Sequence, residues 1–218
     1  MQKKQVDISK SLRAIGNLPF GHGVLMTLLG NYRRPNDKIA SWLAAGVIVA
    51  LRRGLYVLGP DWRDKPVSVA LVANLLYGPS YVSLDYALSH YGLIPEGVTR
   101  VTSVTLLRTR EVTTPLGVFT YAHLPGALYS LGICQIEDAD GMFYLMATPA
   151  KALCDKVLQT RHLPSTSVVG MTTYLLDDLR VDPDALQGID LSVIGRCAQL
   201  NHKSAHLQAL QKALENLQ

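Results

Sequence analysis

Apolar residues recur at helical spacing in three stretches near the start of the chain. Val6, Ile8, Leu12 and Ile15 share one face, and Gly16 stops that segment. Pro19 and Gly21 break the chain before Val24, Leu25, Leu28 and Leu29, which mark a second helix. After Asn31-Tyr32-Arg33-Arg34-Pro35, Asn36 is placed to cap a third helix, in which Ile39, Trp42 and Leu43 fall on one face. Its opposite face carries Asp37, Ser41 and Ala44, with Lys38 and Ala45 on the flank, so that face is small. The period then changes. Val47 to Leu51 and Leu55 to Leu58 are strand-like runs on either side of Arg52-Arg53-Gly54, and the glycine supplies the positive φ of a tight hairpin. Two helices, a turn, a small-faced helix and an arginine-tipped hairpin follow the order of a winged helix-turn-helix, predicted over residues 1–60.

Pro60 to Pro66 is polar and bracketed by proline, which predicts a boundary there. Beyond it, Val67 to Leu76 is an apolar helix. Leu84, Ala87, Leu88 and Tyr91 form another, capped by Ser83 and closed by Gly92. Strand-like runs follow at Val101 to Leu107, Glu111 to Thr113, Val118 to Ala122 and Met142 to Met146, with turns at Pro115-Leu116-Gly117 and Asp138 to Gly141. Thr148 and Pro149 open a helix carrying Ala150, Leu153, Cys154, Val157 and Leu158. The expected class is α+β: the winged helix, a mixed α/β domain at 66–160, and a helical extension at 161–218. That extension shows stripes at Tyr174, Leu175, Leu179, at Leu191, Ile194, Cys197, and at Leu207, Leu210, Leu214, Leu217, as core-covering or interface helices do.

Charge sharpens the first segment. The chain of 218 residues has a net charge of +4, but up to Lys65 eleven Lys/Arg face four acids, a balance of +7; the rest is −3. A basic head on a near-neutral body points to a polyanion. Arg33, Arg34, Lys38, Ser41, Arg52 and Arg53 are the DNA-binding candidates: a small-faced helix fits a major groove, and the arginines meet phosphates beside it. Asp37 puts a negative charge on the same face, and a protein-docking module remains the alternative use of such a unit.

Other chemistry is sparse. Cys134, Cys154 and Cys197 are far apart in apolar contexts and read as core thiols of a reducing compartment, hence a cytoplasmic protein. The start lacks the apolar region of a signal peptide, and Trp42 to Leu51 is too short to cross a bilayer. No phosphate-binding glycine motif or nucleophile elbow occurs. Of the six histidines, only His202 and His206 have a spacing compatible with a metal, without a supporting carboxylate, so no metal or cofactor is expected. His123 reads as a hydrogen-bonded strand-end residue. Lys151 and Asp155, one turn apart, read as a surface pair, and a nuclease-like site would need Asp155 to meet Asp85 or Glu111 in space. Arg108 and Arg110 are expected to share a strand face, as an anion- or RNA-contacting patch or a solvated sheet face. With His123, Lys151 and Asp155 they make up the candidate patch of the body.

Several ordered motifs carry a resemblance. Tyr81-Val82-Ser83-Leu84-Asp85-Tyr86-Ala87-Leu88 is followed by Tyr91-Gly92-Leu93-Ile94-Pro95-Glu96, Val101-Thr102-Ser103-Val104-Thr105 and the arginines Arg108 and Arg110. Then come Thr114-Pro115-Leu116-Gly117, Phe119, Tyr121-Ala122-His123-Leu124, and Ala147-Thr148-Pro149 with Lys151 to Lys156. Together with Arg53-Gly54-Leu55-Tyr56-Val57, this series resembles the AbiEi-like antitoxins of type IV toxin–antitoxin and abortive-infection systems. The resemblance implies an N-terminal winged helix that represses its own operon by binding double-stranded DNA at inverted repeats. It also implies a second domain that counters a nucleotidyltransferase-like toxin without forming a stable complex with it, and no enzyme activity. The family usually carries glutamate where this chain has Ala150, and residues 160–218 match none of its motifs.

Overall fold

The computed structural model describes residues 8–163, 166–200 and 203–218, and its architecture is α+β. The N-terminal unit comprises α1 (Ile8–Arg13), β1 (Phe20–Gly21), α2 (His22–Leu28), α3 (Pro35–Ala44), β2 (Ile48–Arg52) and β3 (Leu55–Leu58). The strands form an antiparallel sheet in the order β1-β3-β2. The break expected at Pro19–Gly21 is instead β1, where buried Phe20 pairs with Tyr56 and stacks on it at 6.2 Å. Arg34, not Asn36, holds the N-cap position of α3, because Pro35, which has no N–H to satisfy, takes the first helical position. The hairpin turns at Gly54, whose φ is +80°. At the far end Gly59 donates its N–H to the Val47 carbonyl at 2.8 Å, and a Cβ there would stand 1.9 Å from the Gly46 oxygen, so only glycine fits.

The β2–β3 hairpin packs on both sides. Ile48, Tyr56 and Leu58 join Leu12, Phe20, Leu25, Leu29, Ile39 and Trp42 in a first apolar cluster. Leu51, Leu55 and Val57 belong to the larger cluster that fills the rest of the molecule. Around the Pro60–Pro66 connection, the Asn17 amide donates to the Pro66 carbonyl at 3.1 Å, and Lys65 pairs with Asp140 at 2.8 Å.

The body contains α4 (Val69–Leu76), β4 (Ser80–Val82), α5 (Leu84–His90), β5 (Val101–Thr105), β6 (Arg110–Thr114), β7 (Gly117–His123), α6 (Gly126–Tyr129), β8 (Ile133–Glu137), β9 (Phe143–Ala147) and α7 (Pro149–Gln159). Its sheet runs β6-β7-β5-β4-β9-β8, with parallel β5–β7 and β4–β9 pairs among antiparallel ones. Sequence patterning missed β4 and β8, since a three-residue strand and an Ile-Cys-Gln-Ile-Glu run carry little periodic signal. β5 is shorter than expected. The Thr105 hydroxyl donates to the Pro79 carbonyl at 2.8 Å and accepts the Leu107 N–H at 3.1 Å, which turns the chain out of the sheet. Arg108 therefore lies in the β5–β6 loop and Arg110 opens β6, so the expectation that both sit on one strand is corrected.

Thr148 accepts the Lys151 N–H at the start of α7, as a capping threonine should, a contact worth about 1 kcal/mol. The tail adds α8 (Val168–Thr173), a π-turn at Tyr174–Asp178, α9 (Leu191–Gln199) and α10 (Ser204–Leu217). Met171, Leu175, Ile194, Leu207, Leu210 and Leu214 are buried in the same apolar cluster as the sheet. The Lys203 ammonium donates to the carbonyls of Val157, Leu158 and Thr160 at 3.2, 3.0 and 2.8 Å, satisfying acceptors that the end of α7 leaves open. Burial lowers the pKa of this lysine.

Candidate functional site

The six N-terminal candidates are on the surface or at its edge. Arg33 is exposed before α3, beside exposed Tyr32. Arg34 approaches Asp37 at 3.7 Å, but both are largely in solvent, where such a pair contributes little. Lys38 is half-buried, with its ammonium 5.6 Å from the Trp42 ring centroid. Ser41 is exposed with Ala40 and Ala44, so the outer side of α3 is small and mostly uncharged, while Leu43, expected to be buried with Ile39 and Trp42, is 37% exposed. Arg53 is exposed at the hairpin tip. Arg52, also exposed, donates to the Leu75 carbonyl of α4 at 3.3 Å.

That last contact brings the hairpin to the body, where β2 runs against β6. The Arg110 guanidinium sits 5.2 Å over the Tyr77 ring, which meets Tyr121 edge-on at 5.1 Å. Tyr77 donates its hydroxyl to the Arg108 carbonyl at 3.2 Å, and Tyr121 donates to the Ala73 carbonyl at 2.8 Å. Burial pushes the Tyr121 hydroxyl up, while the charges of Arg110 and Arg52 pull it down. Arg108 lines an open cleft of about 310 Å³ with Leu106, Leu107, Thr109 and His123. His123 closes β7. Its Nδ1 meets the Leu107 carbonyl at 3.0 Å, its N–H donates to Thr109 at 3.2 Å, and its carbonyl accepts from Gln159 at 2.8 Å.

Lys151 and Asp155 are elsewhere. The surface pair expected from their spacing is corrected: both side chains have zero exposure and form an ion pair in the core. The ammonium donates to the Tyr81 hydroxyl at 2.8 Å, which donates to Asp155 Oδ2 at 2.9 Å, and Ser83 donates to the same oxygen at 2.8 Å. Burial first, and the charge of Asp155 second, push the Tyr81 hydroxyl far above its ordinary value, so it stays a donor. Ser83 occupies the N-cap position of α5 without capping it, because Asp155 takes its hydroxyl. A carboxylate paired, hydrogen-bonded and shut off from solvent acts as an internal strut. The other acids considered with it do not converge: Asp85 pairs with Lys156 at 2.5 Å, and Glu111 with Arg100 at 2.6 Å on the edge strand.

Sequence reasoning named Ser83 only as a helix cap and Tyr81 only as part of a motif, and it did not name Tyr77; none was read as a partner of these charged groups. The available signal was α7 itself, in which every residue from Ala150 to Asp155 is buried; a helix enclosed on all sides must match its polar residues to partners on neighbouring elements. Ala150, at the family's glutamate position, is one of them. Cys154 and Cys197 are buried free thiols and Cys134 is half-buried. A hydrogen bond to Cys197, together with burial, pushes the Cys154 thiol up. Among the described residues no group of three or more His, Cys, Asp or Glu side chains is arranged to hold a metal, and no helix is long and apolar enough to cross a membrane. His202 lies outside the described residues. No family profile matches the chain, and no curated protein matches it.

Proposed function

We propose that this protein is a DNA-binding antitoxin of the AbiEi-like kind: a winged helix-turn-helix that represses its own operon, joined to a body that counters a nucleotidyltransferase-like toxin. The observation that carries the DNA half is the exposed outer side of α3, built from Ala40, Ser41 and Ala44, with Arg33 and Arg34 at its start. Arg52 and Arg53 stand at the tip of the hairpin that follows. A helix with small outward residues fits a major groove, and arginines on either side of it hold the phosphates. The antitoxin half rests on the ordered motifs from Tyr81 to Lys156, and it acts as a regulator rather than an enzyme.

The test of the first half is a salt titration of binding to the promoter of its own operon. R33A/R53A should weaken binding and make the slope of log affinity against log salt shallower by about 2, at roughly 0.9 per phosphate contact. Unchanged affinity and slope would sink the winged-helix reading. For the second half, the full chain should restore growth to cells expressing the neighbouring nucleotidyltransferase-like reading frame. A chain that binds the promoter but restores no growth is a regulator without a toxin.

A further inference from the structure

α7 of the body and α9 of the tail pack against each other, and contacts at both ends fix their register. At the start Gly132 is wedged between them: a Cβ there would stand 2.8 Å from the Lys151 Cβ and 2.9 Å from the Val193 Cγ1. At the end Lys203, just past α9, reaches the carbonyls of Val157, Leu158 and Thr160. The two helices therefore run in the same direction. Cys154 lies one turn beyond Lys151 on α7, and Cys197 lies one turn beyond Val193 on α9, so this register sets the two cysteines side by side. Their thiols meet there, with Cys154 donating a hydrogen bond to Cys197. Both are free thiols with zero exposure, inside the apolar cluster that joins the tail to the sheet.

We propose that Cys154 and Cys197 are a dithiol that a hydroperoxide converts reversibly to a disulfide, fastening the tail to α7. Cys197 attacks first. Its thiolate sulfur takes one peroxide oxygen, the O–O bond breaks, and the departing hydroxide recovers the thiol's proton as water, leaving a sulfenic acid. Cys154 then attacks that sulfur: the S–S bond forms, the S–O bond breaks, and the second hydroxide leaves as water with the Cys154 proton. Each sulfur is oxidised by one electron and each peroxide oxygen is reduced by one. The order follows from the contact itself. The hydrogen bond from Cys154 holds the Cys197 thiol below its ordinary value, helped by the Lys151 ammonium and opposed by burial, while the same bond and burial push Cys154 up. Because neither thiol is exposed, the reaction waits for α9 to lift from α7, and the bond once made closes that opening. In a reducing compartment such a bond is transient and forms under oxidant. This reading is independent of DNA binding.

The experiment treats the folded full-length protein with hydrogen peroxide, alkylates the remaining thiols, digests without reduction and maps the peptides by mass spectrometry. The peptides holding Cys154 and Cys197 should appear joined, two hydrogens lighter than their sum, in monomeric protein, and should separate on addition of dithiothreitol. C134S, which removes the third thiol, should give the same product. In C154S a sulfenic acid should accumulate on Cys197, where dimedone traps it. Hydrogen exchange in α9 of the oxidised protein should slow about a hundredfold and recover on reduction. The mapping needs no substitution at either cysteine, so it decides the matter even where C154S fails to fold. Both thiols remaining alkylatable in folded, peroxide-treated protein overturns the proposal. So does their conversion to sulfinic or sulfonic acids or to bonds between chains, or a joined peptide that forms only under conditions that unfold the protein.

Discussion

Lys151 and Asp155 stand one turn apart on α7 with no access to solvent, and each completes the other's bonding through the Tyr81 hydroxyl as well as directly. Removing one partner leaves an uncompensated buried charge. Asp155→Ala or Lys151→Ala should each destabilise the protein by about 3–5 kcal/mol. The double variant K151M/D155L should cost clearly less than the sum of the two, because it leaves no lone charge. Urea unfolding measures all three, and strict additivity would show that the residues do not act as a unit.

Tyr81 links that pair to the sheet. Tyr81→Phe removes one donor to the carboxylate and one acceptor from the ammonium, and should cost about 1.5–3 kcal/mol in the same assay. The hydroxyls of Tyr81, Tyr91, Tyr121 and Tyr144 are all raised, chiefly by burial, that of Tyr144 to about 12. A raised folded-state value means the stabilisation is complete below the unfolded value near 10 and is lost as pH rises through the folded values. The melting temperature should therefore be flat between pH 8 and 9 and fall steeply above 10, with tyrosinate absorbance appearing together with unfolding. Tyrosinate that forms well before the loss of structure would contradict the assignment.

Lys203 joins the tail to α7. Lys203→Met keeps the aliphatic stem but removes donors to three carbonyls, and should cost about 1–3 kcal/mol. Hydrogen exchange should accelerate over residues 155–160 and α10 and remain slow in the N-terminal unit. Uniform acceleration across the chain would show that this contact has no local role.

Asp37 is the one acid on the outer side of α3, where its charge would face DNA phosphates beside Arg34. Asp37→Asn should tighten binding to any duplex about threefold at 0.1 M salt, and less at 0.3 M, because the repulsion it removes is screened. Weaker binding by the variant would mean that Asp37 makes a favourable contact of its own.

What the sequence revealed depended on how local the cause was. The Gly54 turn, the Thr148-Pro149 start of α7 and the Gly92 stop of α5 are set by residues adjacent in sequence, and each could be read directly. β4 and β8 are not self-announcing. Three residues become a central strand because β5 and β9 flank them, and Val82 pairs with Ser103 on one side and with Met146, far along the chain, on the other. The same holds for the candidate sites. That Arg33, Arg34, Arg52 and Arg53 are exposed follows from turns and a hairpin tip, but the reach of Arg52 to the Leu75 carbonyl and the burial of Lys151 with Asp155 are decided by packing. An i, i+4 lysine–aspartate pair looks the same on a solvated helix and an enclosed one; only the unbroken apolar company of Ala150, Ala152, Leu153 and Cys154 distinguishes them.

The hairpin whose two sides feed two apolar clusters makes the chain hard to treat as interchangeable modules. A cut in the Pro60–Pro66 connection would separate Leu51, Leu55 and Val57 from the body they help fill, leaving both fragments with a raw apolar wall. Transplanting the first sixty residues onto another regulator would carry a piece of someone else's core with them. Such a chimera calls for polar replacements at those three positions before its behaviour says anything about DNA. In the intact chain the same wall fastens the arginine-tipped hairpin to the apolar cluster of the sheet.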